Sequence, residues 1–348
     1  MSRPRALWTV LAAALPVALP ACNSNPGNPF VDIIRTVPPS AAAAIVFTSN
    51  SYANVAGAPR ELYAVEASGA GVTRLTFCNV DPRRCDTSDA APAPDRERMA
   101  ILRTMNDTNS DGRLTGADGQ ALVVVDLARA IEGQILPQTS RVSGVDWSRG
   151  GEVLVYAADG EGAVEDLFRV DPNGANNRNL TATLNVRERR PRIDPTGSTA
   201  VYERIEADGL GQIFIFSTPL VQQRITTGGT PGAVLANTPY MVGSDADPDY
   251  APDGRTIVFR RLTDTGNGGL GTWDILTVRG DGAPPVPVAT GPAFRGAPDW
   301  GAQGIVFTET DVAAGTTQLI VIQPDGTGRR LILSVPPAVD ISNPRWLP

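Results

Sequence analysis

The chain has 348 residues, with 30 Lys plus Arg against 37 Asp plus Glu and a formal net charge of −7. Every cation is Arg, because the sequence contains neither Lys nor His. This composition excludes Ser-His-Asp and Cys-His nucleophiles, imidazole metal ligands, Schiff-base lysines and phosphate-loop lysines. The acidic balance also argues against nucleic acid as a partner.

The N-terminal segment is typical of a secretory signal peptide. Two Arg residues precede an apolar run from Ala6 to Ala21, which is short for a membrane span of about 20 apolar residues. We therefore predict a cleaved signal peptide of the lipoprotein type over residues 1–21 and a flexible tether over residues 22–42. The folded domain is expected over residues 43–348.

The end of the apolar run resembles a bacterial lipobox. Leu19, Pro20 and Ala21 precede Cys22, which in such a motif becomes the lipidated first residue of the mature chain. Asn23 follows where lipoproteins of the inner membrane often carry Asp, so the outer membrane is the expected location, on either side. The alternative is ordinary secretion with a chance Cys.

Two further thiols, Cys78 and Cys85, lie close together in "FCNVDPRRCD". In an oxidising compartment two such residues can close a loop, so we predict a disulfide between them. The disulfide would fix the conformation of a connecting loop and would not be needed to stabilise the core. The alternative is two free thiols.

A phrase recurs through the chain and ends each time in an apolar strand. The copies read "AAPAPDRERMAILRT", "GVDWSRGGEVLVYAA", "RPRIDPTGSTAVYER", "DPDYAPDGRTIVFRR" and "APDWGAQGIVFTE". A variable stretch follows each copy, then another strand such as "DLFRVDPNG" and a short closing strand such as "RNLTA". The spacing of about fifty residues predicts one four-stranded blade for each repeat.

This phrase resembles the "PxWSPDGxxIAF … IYxxDxDGxxxRxLT" repeat of the TolB-type, WD40-like (PD40) propeller family, over residues 43–348. The copies beginning at Asp247 and Ala297 match best, whereas Pro92 and Ile193 stand where Trp is expected. The resemblance implies an all-β propeller. TolB carries an additional α/β domain before its propeller, for which this sequence offers no counterpart, so the resemblance supports the fold rather than the TolB role.

The two ends of the repeat region predict how the ring closes. "AAIVFTSN", Ala43 to Asn50, matches a second strand without a first, and "SNPRWLP", Ser342 to Pro348, matches a first strand without a blade. We therefore predict a six-bladed propeller in which the C-terminal strand completes the first blade. Large side chains at one first-strand position are predicted to fill the space between blades: Trp147, Tyr250, Trp300 and Trp346.

An insertion between two strands of the second blade, "NDTNSDGRLTGADG", has calcium-loop spacing. The predicted oxygen ligands are Asp107, Asn109, Asp111, the carbonyl of Arg113, Thr115 and Asp118. Gly112 would supply the sharp turn, and the closing Asp, shorter than the usual Glu, predicts a weaker site. Calcium is expected to order this hairpin. The alternative is a solvated Asp/Asn/Gly turn.

Two charged groups lie at the beginnings of first strands. "SDADPDYAPDG" contains Asp245, Asp247, Asp249 and Asp253; we interpret the last as a turn residue and the others as lining the strand, although a catalytic carboxylate pair is an alternative. "NVRERRPR" contains Arg187, Arg189, Arg190 and Arg192, which either bind an anion near the central channel or pair with Glu188 and neighbouring Asp residues.

These features predict a monomeric, lipid-anchored binding or scaffold module of the bacterial cell envelope, with no catalytic and no cofactor-binding residue. An envelope protein or small ligand is expected on the face that carries the long loops, where Tyr240 and Met241 would supply apolar contacts. The alternative function is a carboxylate-based glycosidase or lyase, which two unpaired acids in the central funnel would favour.

Overall fold

The computed structural model describes residues 44–348 except 52, 54–56, 78, 80–83, 130, 161–163 and 218–220. The predicted signal peptide, the tether and Cys22 lie outside the described residues. No helix of the described chain has the length and apolar character that crossing a membrane requires.

The strands form six antiparallel sheets in chain order, which are the blades of a propeller. Blade 1 contains β1 (Ala44–Ser49), β2 (Glu61–Glu66) and β3 (Thr73–Arg74). Blade 2 contains β4 (Asp86–Pro92), β5 (Arg98–Thr104), β6 (Gln120–Asp126) and β7 (Ile131–Ser140). Blade 3 contains β8 (Val142–Trp147), β9 (Leu154–Asp159), β10 (Glu165–Val170) and β11 (Arg178–Asn179).

The second half of the ring repeats this arrangement. Blade 4 contains β12 (Arg187–Ile193), β13 (Thr199–Ile205), β14 (Gly211–Ser217) and β15 (Val221–Arg224). Blade 5 contains β16 (Asp245–Tyr250), β17 (Thr256–Asp264), β18 (Thr272–Arg279) and β19 (Val286–Ala289). In blade 6 the first strand is split into β20 (Phe294–Arg295) and β21 (Asp299–Gly301), followed by β22 (Gly304–Asp311), β23 (Thr316–Ile322) and β24 (Arg330–Val335).

The last strand, β25 (Ile341–Trp346), closes the ring, as the sequence predicts. It pairs antiparallel with β1, placing Trp346 opposite Ile45, and becomes the first strand of blade 1. The Leu347 N–H donates to the carbonyl of Ala44 at 2.8 Å. The prediction of six blades with a C-terminal closing strand is therefore confirmed, and both strands lose an open edge.

Tight turns explain why each copy of the repeated phrase becomes a hairpin. In "PDG" the Asp253 carboxylate accepts the backbone N–H groups of Arg255 and Thr256 at 2.7 and 2.8 Å. Gly254 has a φ of 65°, a conformation that glycine adopts without steric cost. The interpretation of Asp253 as a turn residue is confirmed.

Apolar clusters fill the space between neighbouring blades. One cluster joins Ile45 and Phe47 of blade 1 to Val306 and Leu319 of blade 6, with Trp346 between them. The predicted filling role is confirmed. Trp147, Tyr250 and Trp346 are buried, and the half-buried Trp300 packs against the cluster between blades 5 and 6. Each buried aromatic ring removes a large apolar area from water and supplies much of the contact between blades.

The two faces of the ring differ in their connections. The links between strands one and two and between strands three and four are short, as at 93–97 and 251–255, and this side is named the short-turn face. The opposite side, the long-loop face, carries the hairpins between strands two and three and the links between blades. The longest of these connections join β1 to β2, β3 to β4, β5 to β6 and β15 to β16.

Candidate functional site

The first strands of the six blades surround the axis of the ring, because each contacts the first strand of the next blade. In blades 1 to 5 these strands contain a register shift, and in blade 6 the strand is interrupted. Such bulges turn side chains away from the regular alternation of a strand. They place charged residues in the central channel at two levels.

The inner level, toward the short-turn face, contains three Asp residues that join blades together. Asp146, Asp249 and Asp299 accept the backbone N–H groups of Ile193, Trp300 and Trp346, respectively, at 2.8, 2.7 and 2.8 Å. Each carboxylate thus spans to the first strand of the next blade. The Asp in "VDW", "PDY" and "PDW" therefore has a structural explanation at each position.

Two buried Arg residues accompany these carboxylates. The guanidinium of Arg345 lies 3.7 Å from Asp299 and 3.9 Å from Asp146, and Arg192 is 4% exposed in the same level. Burial and the charge of Arg345 both lower the pKa of Arg192. Burial, reinforced by Asp299, raises the pKa of Asp249 to about 8.

The outer level opens on the long-loop face and is built on Asp247. Its carboxylate lies 2.7 Å from Nε of Arg190 and also pairs with Nε of Arg260. Burial alone would raise the pKa of Asp247, but the two Arg residues lower it to about 2. Asp245 pairs separately with Arg261 at 2.5 Å.

Two of the four Arg residues in the Arg-rich segment form ion pairs, but not with the predicted partner Glu188. Arg189 lies 3.0 Å from Glu165, and Arg190 lies beside Asp247. Glu188 instead accepts from Gln222 at 3.1 Å, because it points into its own blade. Arg187 is exposed.

One predicted surface contact is wrong. Tyr240 is 6% exposed, crosses the ring of Trp273 edge-on at 5.3 Å and donates its hydroxyl to Glu203 at 2.9 Å. The aromatic ring and the hydroxyl both find partners inside blades 4 and 5, so this side chain belongs to the core. Met241 beside it is half-buried.

The predicted calcium loop is held by backbone-to-carboxylate hydrogen bonds. Asp107 accepts from the N–H of Gly112 at 2.7 Å, Asn109 from that of Asp111 at 2.9 Å, and Asp111 from that of Arg113 at 2.8 Å. Gly112 has the expected positive φ of 80°. These contacts wind the first half of the loop into the tight turn that its spacing predicts.

The closing residue of the loop also accepts backbone hydrogen bonds, one of them from the N–H of Asn109 at 3.2 Å. Asp118 is buried in a short 3-10 turn, Gly116–Asp118, and accepts from the N–H groups of Thr108 and Thr115, both at 2.9 Å. Arg113 is exposed. Among the described residues no group of three Asp, Glu, Cys or His side chains is arranged to hold a metal ion.

Near the predicted disulfide, Cys85 is fully buried and disulfide-bonded. The side chain of Asn79 holds the backbone on both sides, accepting from the Cys85 N–H at 3.1 Å and donating to its carbonyl at 2.9 Å. Cys78, the predicted partner, lies outside the described residues, so the pairing remains a prediction.

Sequence reasoning missed Arg260 and Arg345 as channel residues. In "PRW", Arg345 stands directly before Trp, at the position where "PDW" has Asp. A comparison of the two phrases would have located it. Arg260 follows the apolar run in "IVFRR", where strand alternation places it and Arg261 on opposite faces.

Neither a protein-family model nor a curated protein sequence matches the chain. Its structure is similar to TolB from Acinetobacter baumannii, with a TM-score of 0.66 and 14% identity over 90% of this chain and 68% of that one. It is also similar to a putative TolB from Agrobacterium tumefaciens, with a TM-score of 0.57 and 15% identity over 88% of this chain and 98% of that one. The chain therefore has the TolB-type six-bladed propeller fold. An oligogalacturonate lyase from Vibrio parahaemolyticus is similar with a TM-score of 0.51 and 9% identity over 80% of this chain and 70% of that one.

Proposed function

We propose that this protein is a lipid-anchored propeller of the bacterial cell envelope that binds a partner protein through its long-loop face. The observation that carries the proposal is the difference in loop length between the two faces, because exposed apolar side chains also occur beside the short turns, at Val72, Val221 and Val286. Three large apolar side chains, Leu184, Val234 and Leu270, are 64, 64 and 44% exposed on segments of the long-loop face. Loops that display apolar groups on a rigid scaffold are typical of recognition surfaces.

The carboxylates of the channel favour binding over hydrolysis. Asp146, Asp249 and Asp299 each hold a backbone N–H of the next blade, and Asp247 lies between two Arg residues. A glycosidase or lyase that relied on carboxylates would need a pair released from such structural roles. A binding role therefore agrees better than hydrolysis with the hydrogen bonds and ion pairs of these carboxylates.

The envelope location rests on the sequence of the N-terminal segment. An apolar run that ends at Cys22 would place a lipid on the first residue of the mature chain. The residues between Cys22 and β1 would then tether the propeller to the membrane.

Calcium is proposed as a structural ion of the 106–119 hairpin. Asp107, Asn109 and Asp111 lie together in the tight turn and would bind the calcium ion, with Asp118 closing the loop. The oxygen-rich side chains suit a hard cation. When bound, the ion would neutralise the repulsion between these carboxylates and order a loop of the long-loop face.

Photo-crosslinking in intact cells tests the binding face. p-Benzoylphenylalanine would be placed at Val234 or Leu270 on the long-loop face and, as matched controls, at the exposed Asp281 and Asp325 on the short-turn face. We expect protein adducts from the first pair only. Adducts from the control positions alone, or from none of the four, would contradict the proposal.

A further inference from the structure

We propose that the channel opening on the long-loop face is a binding site for a small organic carboxylate, with Arg190 as the group that receives the carboxylate. This goes beyond docking of a partner protein and does not depend on it. The inference rests on a cavity, an Arg side chain with unused donors, the balance of charge around it, and an unusual backbone conformation.

The cavity has a volume of about 480 Å³ and lies at the outer level of the channel. Arg190, Asp247 and Arg260 line its polar side, and Phe294 and Val339 contribute to an apolar side. This volume is in the range of small-molecule sites, which combine an apolar wall with a few polar groups. The expected ligand is therefore an acid with an apolar body.

The Arg190 guanidinium has donors available for such a ligand. Its Nε faces Asp247 at 2.7 Å, and its side chain is 23% exposed. Among the described residues no hydrogen bond from its two terminal nitrogens is found. Arg260, in contrast, donates Nη1 to the carbonyl of Arg295 at 3.0 Å and stacks on the ring of Trp273 at 4.0 Å. The free fork of Arg190 matches the two oxygens of a carboxylate.

The charge of the site selects a monoanion. Two guanidinium groups share the single carboxylate of Asp247, which leaves one positive charge in excess on the Arg190 side of the cavity, although the lining as a whole is neutral. Asp340 lines the same cavity on its other side. A carboxylate would neutralise the excess charge, whereas a phosphate dianion would bring a second negative charge toward Asp340.

The backbone indicates that these side chains are kept at a cost. Arg190, Asp247 and Asn343 occupy the bulges of three first strands with φ of 50, 51 and 49°, and all three line this cavity. A left-handed conformation is unfavourable for a residue that carries a Cβ. Blade 3 has Gly144 at its bulge, with a φ of 101°, so the fold can form there without a side chain.

Calorimetric titration of the purified protein tests the site with a matched pair of probes, 3-phenylpropionate and its neutral amide, 3-phenylpropionamide. We expect saturable binding of the acid with one site per chain, and at least tenfold weaker binding of the amide. Arg190→Gln should weaken binding of the acid at least tenfold and leave binding of the amide unchanged. Ala297→Phe, which fills the cavity beside the ion pairs, should remove binding of both.

Arg279→Gln is the control, because Arg279 is 72% exposed and lies on the short-turn side; it should bind the acid as the parent does. Equal affinity for acid and amide, or unchanged affinity in Arg190→Gln, would overturn the inference. So would tighter binding of inorganic phosphate than of the acid, or the absence of saturable binding at millimolar acid. Ala297→Phe and the acid-to-amide ratio decide the question even where Arg190→Gln does not fold.

Discussion

Replacing Trp346 by Ala tests how strongly the C-terminal strand closes the propeller. The side chain is 8% exposed and packs between blades 1 and 6, so closely to Gly301 that a Cβ there would lie 2.5 Å from the indole Cγ. Its indole N–H donates to the carbonyl of Gly304 at 3.0 Å. The substitution therefore removes a ring from the junction between blades 6 and 1, where the two ends of the described chain meet.

The expected loss is about 3–5 kcal/mol of unfolding free energy, the range for truncation of a buried aromatic residue. Trp346→Phe separates the contributions, because it keeps most of the ring and loses the hydrogen bond. That variant should lose about 1–2 kcal/mol of unfolding free energy, because the Gly304 carbonyl loses its hydrogen bond and the ring is smaller. Since domains are stable by about 5–15 kcal/mol, the Ala variant should fold but be markedly weaker.

Urea unfolding followed by far-UV circular dichroism measures the effect without relying on tryptophan fluorescence. The midpoint should fall while the slope with urea stays constant, because the same surface is exposed on unfolding. Trp300→Ala is the matched control, since Trp300 occupies the same strand position but is half-buried, and it should cost less. A Trp346→Ala protein that unfolds at the urea concentration of its parent would refute the closure argument.

Three further predictions concern the anchor, the calcium loop and a buried acid. Cys22→Ala should move the protein from the membrane to the soluble fraction and abolish labelling by palmitate; unchanged fractionation would exclude lipidation. Calcium at a hundredfold excess over its Kd should add about 2.7 kcal/mol of stability, and Asp111→Ala should remove this gain in thermal melting with and without chelator; identical melting curves would leave the loop an ordinary turn. Burial raises the pKa of Glu188 to about 7, so this carboxyl gives up its proton first in the unfolded chain, and its contribution to stability should be lost between about pH 4.5 and 7. Glu188→Gln should make the decline over that range shallower by about 3 kcal/mol in urea unfolding at several pH values, and the buried Asp249 should account for part of the decline that remains.

The repeat architecture could be determined from sequence because its signals are local. The "PDG" turn at Asp253 and Gly254, the alternation within strands and the recurring large residue each depend on a few neighbouring positions. Closure by the strand that contains Trp346 also followed, because an unmatched first strand and an unmatched second strand have one way to pair. The spacing of the calcium loop likewise predicted its tight turn.

Only the tertiary structure decided which charges meet in the channel. Asp247 pairs with Arg190 and Arg260, which come from blades 4 and 5, and Arg345 reaches the carboxylates of other blades. Such partners are set by how the blades pack around the axis, which strand periodicity does not specify. Tyr240 shows the same limit: its loop position indicated exposure, but Glu203 and Trp273 lie where they bury it. Local chemistry thus determines the blades, and ring geometry determines the site that they enclose.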